Sequence, residues 1–251
     1  HKRLEKGVLD DADVVVAVSP LVQDEFREMT STPVELITNG YDEDDFDEAD
    51  KEMRVSEVET GSENEDFFNI VHTGLFAADG NPLELWKALA EIAAGDAEFA
   101  VKLRIRLSGK TDTQIVEAIS AAGLGKNLVN LGYVSHGEAV REQCGASMLI
   151  LPLRQEPEYR AVLPGKLFEY LASRRPVLGI GQTDGAMARV LEQAHAGVTF
   201  NWNDTEGIRK EVTRCWQLFR EGRLDDNEED IERYSRRRLT RQMAEVFESL
   251  I

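Results

Sequence analysis

"FFNIVHTG" at residues 67–74 followed by "NPLELWKALAEIAAG" at 81–95 is a β-branched apolar run and then an apolar pattern of helical period. The unit repeats. "VKLRIRLSG" (101–109) precedes "TDTQIVEAISAAG" (111–123), and "NLVNLGYV" (127–134) precedes "SHGEAVREQCGA" (135–146). "SMLILPL" (147–153) then leads to the helical "VLPGKLFEYLAS" (162–173), "RPVLGI" (175–180) to "DGAMARVLEQAHA" (184–196), and the series ends at "GVTF" (197–200). Six short apolar runs alternating with helical segments predict right-handed βαβ crossovers and a parallel sheet covered on both faces. The expected fold is α/β, a Rossmann-like doubly wound parallel sheet, with its sheet core from 67 to about 203.

Working outward, two further helical patterns, "TEGIRKEVTRCWQLFREG" (205–222) and "IERYSRRRLTRQMAEVFESLI" (231–251), are expected to pack along the outside. On the other side, "DADVVVAVSPLVQDEFREM" (11–29) and "PVELITNGYDEDDF" (33–46) read as strand, helix, strand and a turn at Asn39-Gly40. This piece precedes the repeating units without belonging to them, which suggests the C-terminal part of a longer protein. Between Asp42 and Asp66 stand thirteen acids against Lys51 and Arg54, so that stretch is expected to be a solvated linker or long loop.

The bulk numbers exclude several classes. Net charge is −18, which repels phosphate backbones and argues against nucleic acid as a partner. A chain adapted to high salt is also acidic, but would carry its acids more evenly. The longest apolar runs, "MLIL" (148–151) and "VVVAV" (14–18), are far too short to cross a bilayer, and the first residues lack the apolar core of a secretory signal. Cys144 and Cys215 lack metal-ligand neighbours, so neither a disulfide framework nor a zinc site is indicated and a reducing cytoplasm fits. His72, His136 and His195 share no metal-ligand spacing and read as a strand end, a helix start and a helix-to-strand turn.

In an open parallel sheet the ligand crevice lies beyond the carboxyl ends of the strands. That rule selects "HTGLFAADGNP" (72–82), "SGKTD" (108–112), "LGYVSHGE" (131–138) and "LRQEPEYRAVLPGK" (153–166). The last loop enters a helix through Pro164, whose missing N–H costs nothing in a first turn, and Gly165, which lets a ligand approach backbone amides. Free N–H groups, the positive end of the helix dipole and Lys166 suit a phosphate. Glu169, three residues on and on nearly the same face, is placed to accept hydrogen bonds from a ribose diol. The same two side chains also fit an i,i+3 surface pair. Leu167, Phe168 and Leu171 point to the core. No G-x-G-x-x-G fingerprint follows the first strand, since Gly74 and Gly80 are wrongly spaced, and "SGKT" (108–111) has Arg104 where a phosphate-binding loop needs its first glycine.

Taken in order, "ADVVVAVSPLVQDEF", "VELITNGYDEDDF", "IVHTGLF", "LRIRLSGK", "VNLGYVSHGEA", "LPLRQ" and "LPGKLFEYLASRRPVLGI" resemble the C-terminal half of a retaining GT-B glycosyltransferase of family 4 (glycosyl transferases group 1). The resemblance implies a remnant of an acceptor domain at 1–41, a linker at 42–66, a nucleotide-sugar donor domain at 67–230 and a closing helix at 231–251 that returns to the N-terminal domain. It implies no cofactor: the nucleotide-diphosphate sugar is the substrate, no metal is required, and the acceptor is an unspecified sugar, lipid or polysaccharide. Assembly of surface polysaccharide or lipopolysaccharide in the cytoplasm is the implied setting, with peripheral membrane association through an N-terminal domain. The basic run Arg236–Arg238 fits a face toward membrane lipid or acceptor, or a solvated helical face.

Carried over by position, Glu169 matches the second glutamate of the family's Glu-x7-Glu motif, which binds the ribose. The first glutamate falls at Ala161, with Glu156 and Glu158 nearby but out of register. Gly74 and Leu75 occupy the loop where the family commonly places an Arg and a Lys on the diphosphate, and Lys166, Arg154 or Arg160 would have to compensate. Gly132, Tyr133 and Val134 match the loop that meets the base, although Tyr133 also fits a ring packed on the sheet. A non-catalytic module and a nucleotide-sugar epimerase share the same donor half. A nicotinamide oxidoreductase is disfavoured by the glycine spacing.

Overall fold

A computed structural model describes residues 2–49, 67–224 and 231–251. The chain begins with α1 (Lys2–Asp10), β1 (Val15–Ala17), α2 (Pro20–Met29) and β2 (Val34–Leu36), the two strands pairing in parallel. A helix at 43–49, α3, comes next. The alternating part comprises β3 (Phe68–Thr73), α4 (Leu83–Gly95), α5 (Ala97–Lys102), β4 (Leu103–Ser108), α6 (Thr113–Ala121), β5 (Leu128–Gly132) and α7 (His136–Cys144). It continues through β6 (Met148–Pro152), α8 (Gly165–Ala172), β7 (Val177–Ile180), α9 (Ala186–Gln193) and β8 (Gly197–Phe200), and closes with α10 (Thr205–Arg220) and α11 (Arg236–Glu248).

The six strands β3 to β8 form one parallel sheet in the order β5-β4-β3-β6-β7-β8, the doubly wound order expected from the alternation. Side-chain alternation along each strand builds two cores. Phe68, Ile70, Met148, Ile150, Leu178 and Ile180 face the layer of α4, α6 and α10. Val71, Leu149, Leu151 and Val177 face α8 and α9. Leu167, Phe168 and Leu171 of α8 are fully buried, as their spacing predicts.

Four sequence expectations are corrected. The stretch 42–66 is not linker throughout: α3 places Phe46 edge-on to Tyr41, with ring centroids 5.9 Å apart, and buries Ala49 against Val140 and Cys144 of α7. The remainder, 50–66, lies outside the described residues, as does the domain boundary drawn at 230. The strand read from Val101 begins instead at Leu103, because Asp96 caps α5 by accepting hydrogen bonds from the amides of Glu98 and Phe99 and carries helix through Lys102. The final helix is broken: Glu232–Tyr234 is a single 3-10 turn, and Ser235 restarts the chain as the N-cap of α11. That restart is stitched to the N-terminal segment, Tyr41 N–H donating to Tyr234 O and Arg236 N–H to Tyr41 O. A Cβ on Gly40 would overlap the Tyr234 carbonyl and the Leu239 side chain, so only glycine permits this approach. Fourth, Pro164 is not within the first turn of α8 but is its N-cap, and Gly165 opens the helix.

Candidate functional site

β3 and β6 are the central pair of the sheet, and their connections leave in opposite directions, which makes the gap between their carboxyl ends the topological switch point. Gly74 leaves β3 in a left-handed conformation and donates its N–H to Ser108 O. Gly109, leaving β4, also has positive φ, and a Cβ there would lie 2.3 Å from the Gly74 carbonyl oxygen. The two loops therefore touch backbone to backbone and leave the floor of the crevice without side chains. Gly132 extends the row, accepting from Gly109 N–H at the end of β5.

Lys166, in the first turn of α8, crosses this floor. Its Nζ lies 3.3 Å from His72 Nε2 and 3.4 Å from Leu75 O. An ammonium only donates, so His72 Nε2 must accept and Nδ1 must carry the proton, which it gives to Ile150 O at 3.1 Å. Burial, reinforced by the adjacent ammonium, pushes the His72 pKa down to about 3, so the ring is neutral. Burial likewise lowers Lys166 to about 8, against the pull of Glu169 toward the charged form. Lys166 and Glu169 do not form the alternative surface pair: Lys166 turns to the β3 loop, and Glu169 Oε2 accepts from Gln143 Nε2 at 3.0 Å.

Gln143, fully buried near the end of α7, also donates to Thr73 Oγ1 at 3.0 Å. The Thr73 N–H in turn donates to Tyr170 Oη at 3.0 Å. His136, at the start of α7, donates to Asp45 of α3 at 2.8 Å, and its pKa is raised first by that bond and further by Asp45 and Glu169. His72 and His136 thus lie beside the crevice and not merely at element ends. Sequence reading missed the roles of His72, Thr73 and Gln143 because their partners are remote in sequence, 78 residues away for His72–Ile150, 97 for Thr73–Tyr170, and 70 and 26 for Gln143 with Thr73 and Glu169.

The remaining site residues separate by location. Gly165 and Pro164 form the N-terminus of α8, and Leu75 is exposed in the loop over it. Tyr133 is 94% exposed and does not pack on the sheet, while Val134 is half-buried beside it. Arg154 reaches across the switch point to Asp79, 2.8 Å away in the β3 loop. Arg160 pairs with Asp184 at 2.9 Å, one strand farther out. Ala161 ends a 3-10 turn (Pro157–Ala161), and Glu156 and Glu158 are exposed. Arg236 and Arg237 pair with Asp42 and Asp44. Among the described residues no group of His, Cys, Asp and Glu is arranged as a metal site, and no helix is long and apolar enough to cross a membrane.

The family model for glycosyl transferases group 1 matches residues 68–217, and the chain belongs to that family. Its fold is that of solved members of the GT-B class. Sucrose-phosphate synthase from Thermosynechococcus elongatus aligns with TM-score 0.70 and 17% identity, over 99% of this chain and 61% of that one. HepE of Anabaena in complex with UDP-glucose aligns with TM-score 0.68 and 16% identity, over 99% and 67%. α,α-Trehalose 6-phosphate synthase from Burkholderia multivorans aligns with TM-score 0.68 and 11% identity, over 99% and 62%. The chain thus spans 61–67% of the length of these three proteins. Among curated proteins no sequence relative is found.

Proposed function

We propose that this chain forms the donor side of a glycosyltransferase that moves a sugar from a nucleoside-diphosphate sugar to an acceptor hydroxyl with retention of configuration. One observation carries the reading: Lys166 and Glu169 stand one turn apart on α8 at the switch point, beside a glycine floor, and each is held by a separate partner instead of by the other. The α8 N-terminus and Lys166 meet the diphosphate, and the Glu169 oxygen not bonded to Gln143 meets the ribose diol. Helix dipole and ammonium stabilise the leaving diphosphate as the acceptor oxygen attacks the same face of the anomeric carbon. The exposed loop Gly132–Val134 borders the base. Surface polysaccharide or lipopolysaccharide assembly is the setting supported by the family resemblance.

Ala161 favours a second reading, a binding module without transfer. No carboxylate stands at that position for the transferred sugar, and Arg154 is already held by Asp79. Calorimetric titration of the 251-residue chain with UDP and GDP separates the two. The transferase reading expects saturable binding of one nucleoside diphosphate, weakened about tenfold or more in Glu169→Ala, the cost of hydrogen bonds to a charged group. Wild-type affinity in the variant supports the module.

A further inference from the structure

We infer that Gln143 is a positioning residue that sets the Glu169 carboxylate for the ribose diol, an inference that rests on the reading of Glu169 just proposed. The geometry is specific. The amide nitrogen of Gln143 has two hydrogens and two acceptors, Thr73 Oγ1 and Glu169 Oε2, each at 3.0 Å. The amide oxygen is buried and has no hydrogen-bond partner among the described residues. Turning the amide over would bring that oxygen against the carboxylate, so the negative charge of Glu169 dictates which way the group faces.

An amide oxygen buried without a partner destabilises a fold, and an apolar side chain of the same length would fill the place without that cost. What the glutamine supplies instead is a donor aimed at one carboxylate oxygen. Glu169 is the fifth of the eight residues of α8 and has three rotatable side-chain bonds, and an unheld carboxylate there would sample several rotamers. The bond from Gln143 removes that freedom before any ligand arrives and leaves Oε1 without a hydrogen-bond partner among the described residues. The other end of the same amide is anchored to Thr73, whose N–H is tied to Tyr170 of α8. The carboxylate is therefore referenced to the end of β3, the strand that carries the glycine floor, so helix and floor hold a fixed spacing.

The test compares each nucleoside diphosphate with its 2′,3′-dideoxy form, using UDP, GDP and ADP against the 251-residue chain by calorimetry. In the wild type the ribose form of the preferred nucleotide binds more tightly, and Glu169→Ala abolishes that advantage. Gln143→Met, which matches the length and removes the donor, is expected to lose about tenfold in affinity for the ribose form while leaving the dideoxy form unchanged. If Gln143→Met loses affinity for both forms equally, the residue is only packing and the inference falls. If Glu169→Ala loses the advantage and Gln143→Met keeps it, the inference falls while the reading of Glu169 stands. If Glu169→Ala itself keeps the advantage, or no nucleotide binds the wild type, the reading falls and takes the inference with it. Thermal melts confirm that each variant is folded. Should Gln143→Met not fold, Gln143→Asn retains an amide but draws it back by one methylene, and the same selective loss is expected.

Discussion

Lys166 gives the crevice a charge that depends on pH within an accessible range. With its pKa lowered to about 8 by burial, the free protein loses this ammonium as pH rises through that value. A bound diphosphate favours the charged form, so binding takes up a proton near pH 8 and weakens above it. Calorimetric titrations at pH 7 and pH 9 in buffers of different ionisation enthalpy should show weaker binding at pH 9 and net proton uptake. Lys166→Met should bind weakly at both pH values with no uptake. Pairing with a neutral histidine makes this possible: His72 is depressed to about 3 and brings no second positive charge over the same interval. At this scale the sequence was legible only in part. Gly165, Lys166 and Glu169 share one local helix turn, so spacing alone placed them together. Thr73, Gln143 and His72 enter through tertiary contacts that no local pattern encodes.

Among the elements, strands were read more securely than short helices, for a physical reason. β6 and β7 are apolar on both faces because the sheet is covered twice, and such runs stand out against helical neighbours. α5 was lost because Val101 and Lys102 continue into a β-branched strand, and only the Asp96 cap distinguishes the preceding turn as helix. α3 was lost because its residues are mostly acidic and Phe46 and Ala49 are its only apolar anchors among the described residues, joined by the polar pairs Asp45–His136 and Asp44–Arg237. The loops that line the crevice depend on backbone contact, and this can be tested. Gly109→Ala would force a Cβ to 2.3 Å from the Gly74 carbonyl at a φ of +115°, so the β3 and β4 loops must separate. The expected cost is about 2–3 kcal/mol, observed as a lowered urea midpoint with an unchanged m-value. Gly80→Ala, where a Cβ meets nothing within 4 Å, serves as the control and should be nearly neutral.

For the whole molecule, a net charge of −18 sets the response to salt. Many of its ion pairs are well exposed, such as Arg209–Glu206 and Lys210–Glu206, and each contributes little. Repulsion among unpaired acids is summed over the surface and is strongly screened as the Debye length falls from about 10 Å at 0.1 M salt to about 3 Å at 1 M. Thermal stability should therefore rise on going from dilute buffer to 1 M potassium chloride, followed by circular dichroism. A falling midpoint would mean that attraction within the pairs outweighs the repulsion.

The join between β3 and β6 has one more consequence. Their backbone ladder pairs only Ile70 with Met148 and Val71 with Leu149, whereas β3 and β4 remain in register for the full length of β3. Past Val71 the two halves of the sheet are fastened by side chains: His72 to the Ile150 carbonyl, Thr73 to Tyr170, and Gln143 between Thr73 and Glu169. The sheet is in effect two slabs with a short spine, clasped at the open edge by buried polar groups beside the crevice. A ligand seated there competes for, or tightens, the fastening itself, so occupancy of the crevice and the stiffness of the seam beneath it are one mechanical property.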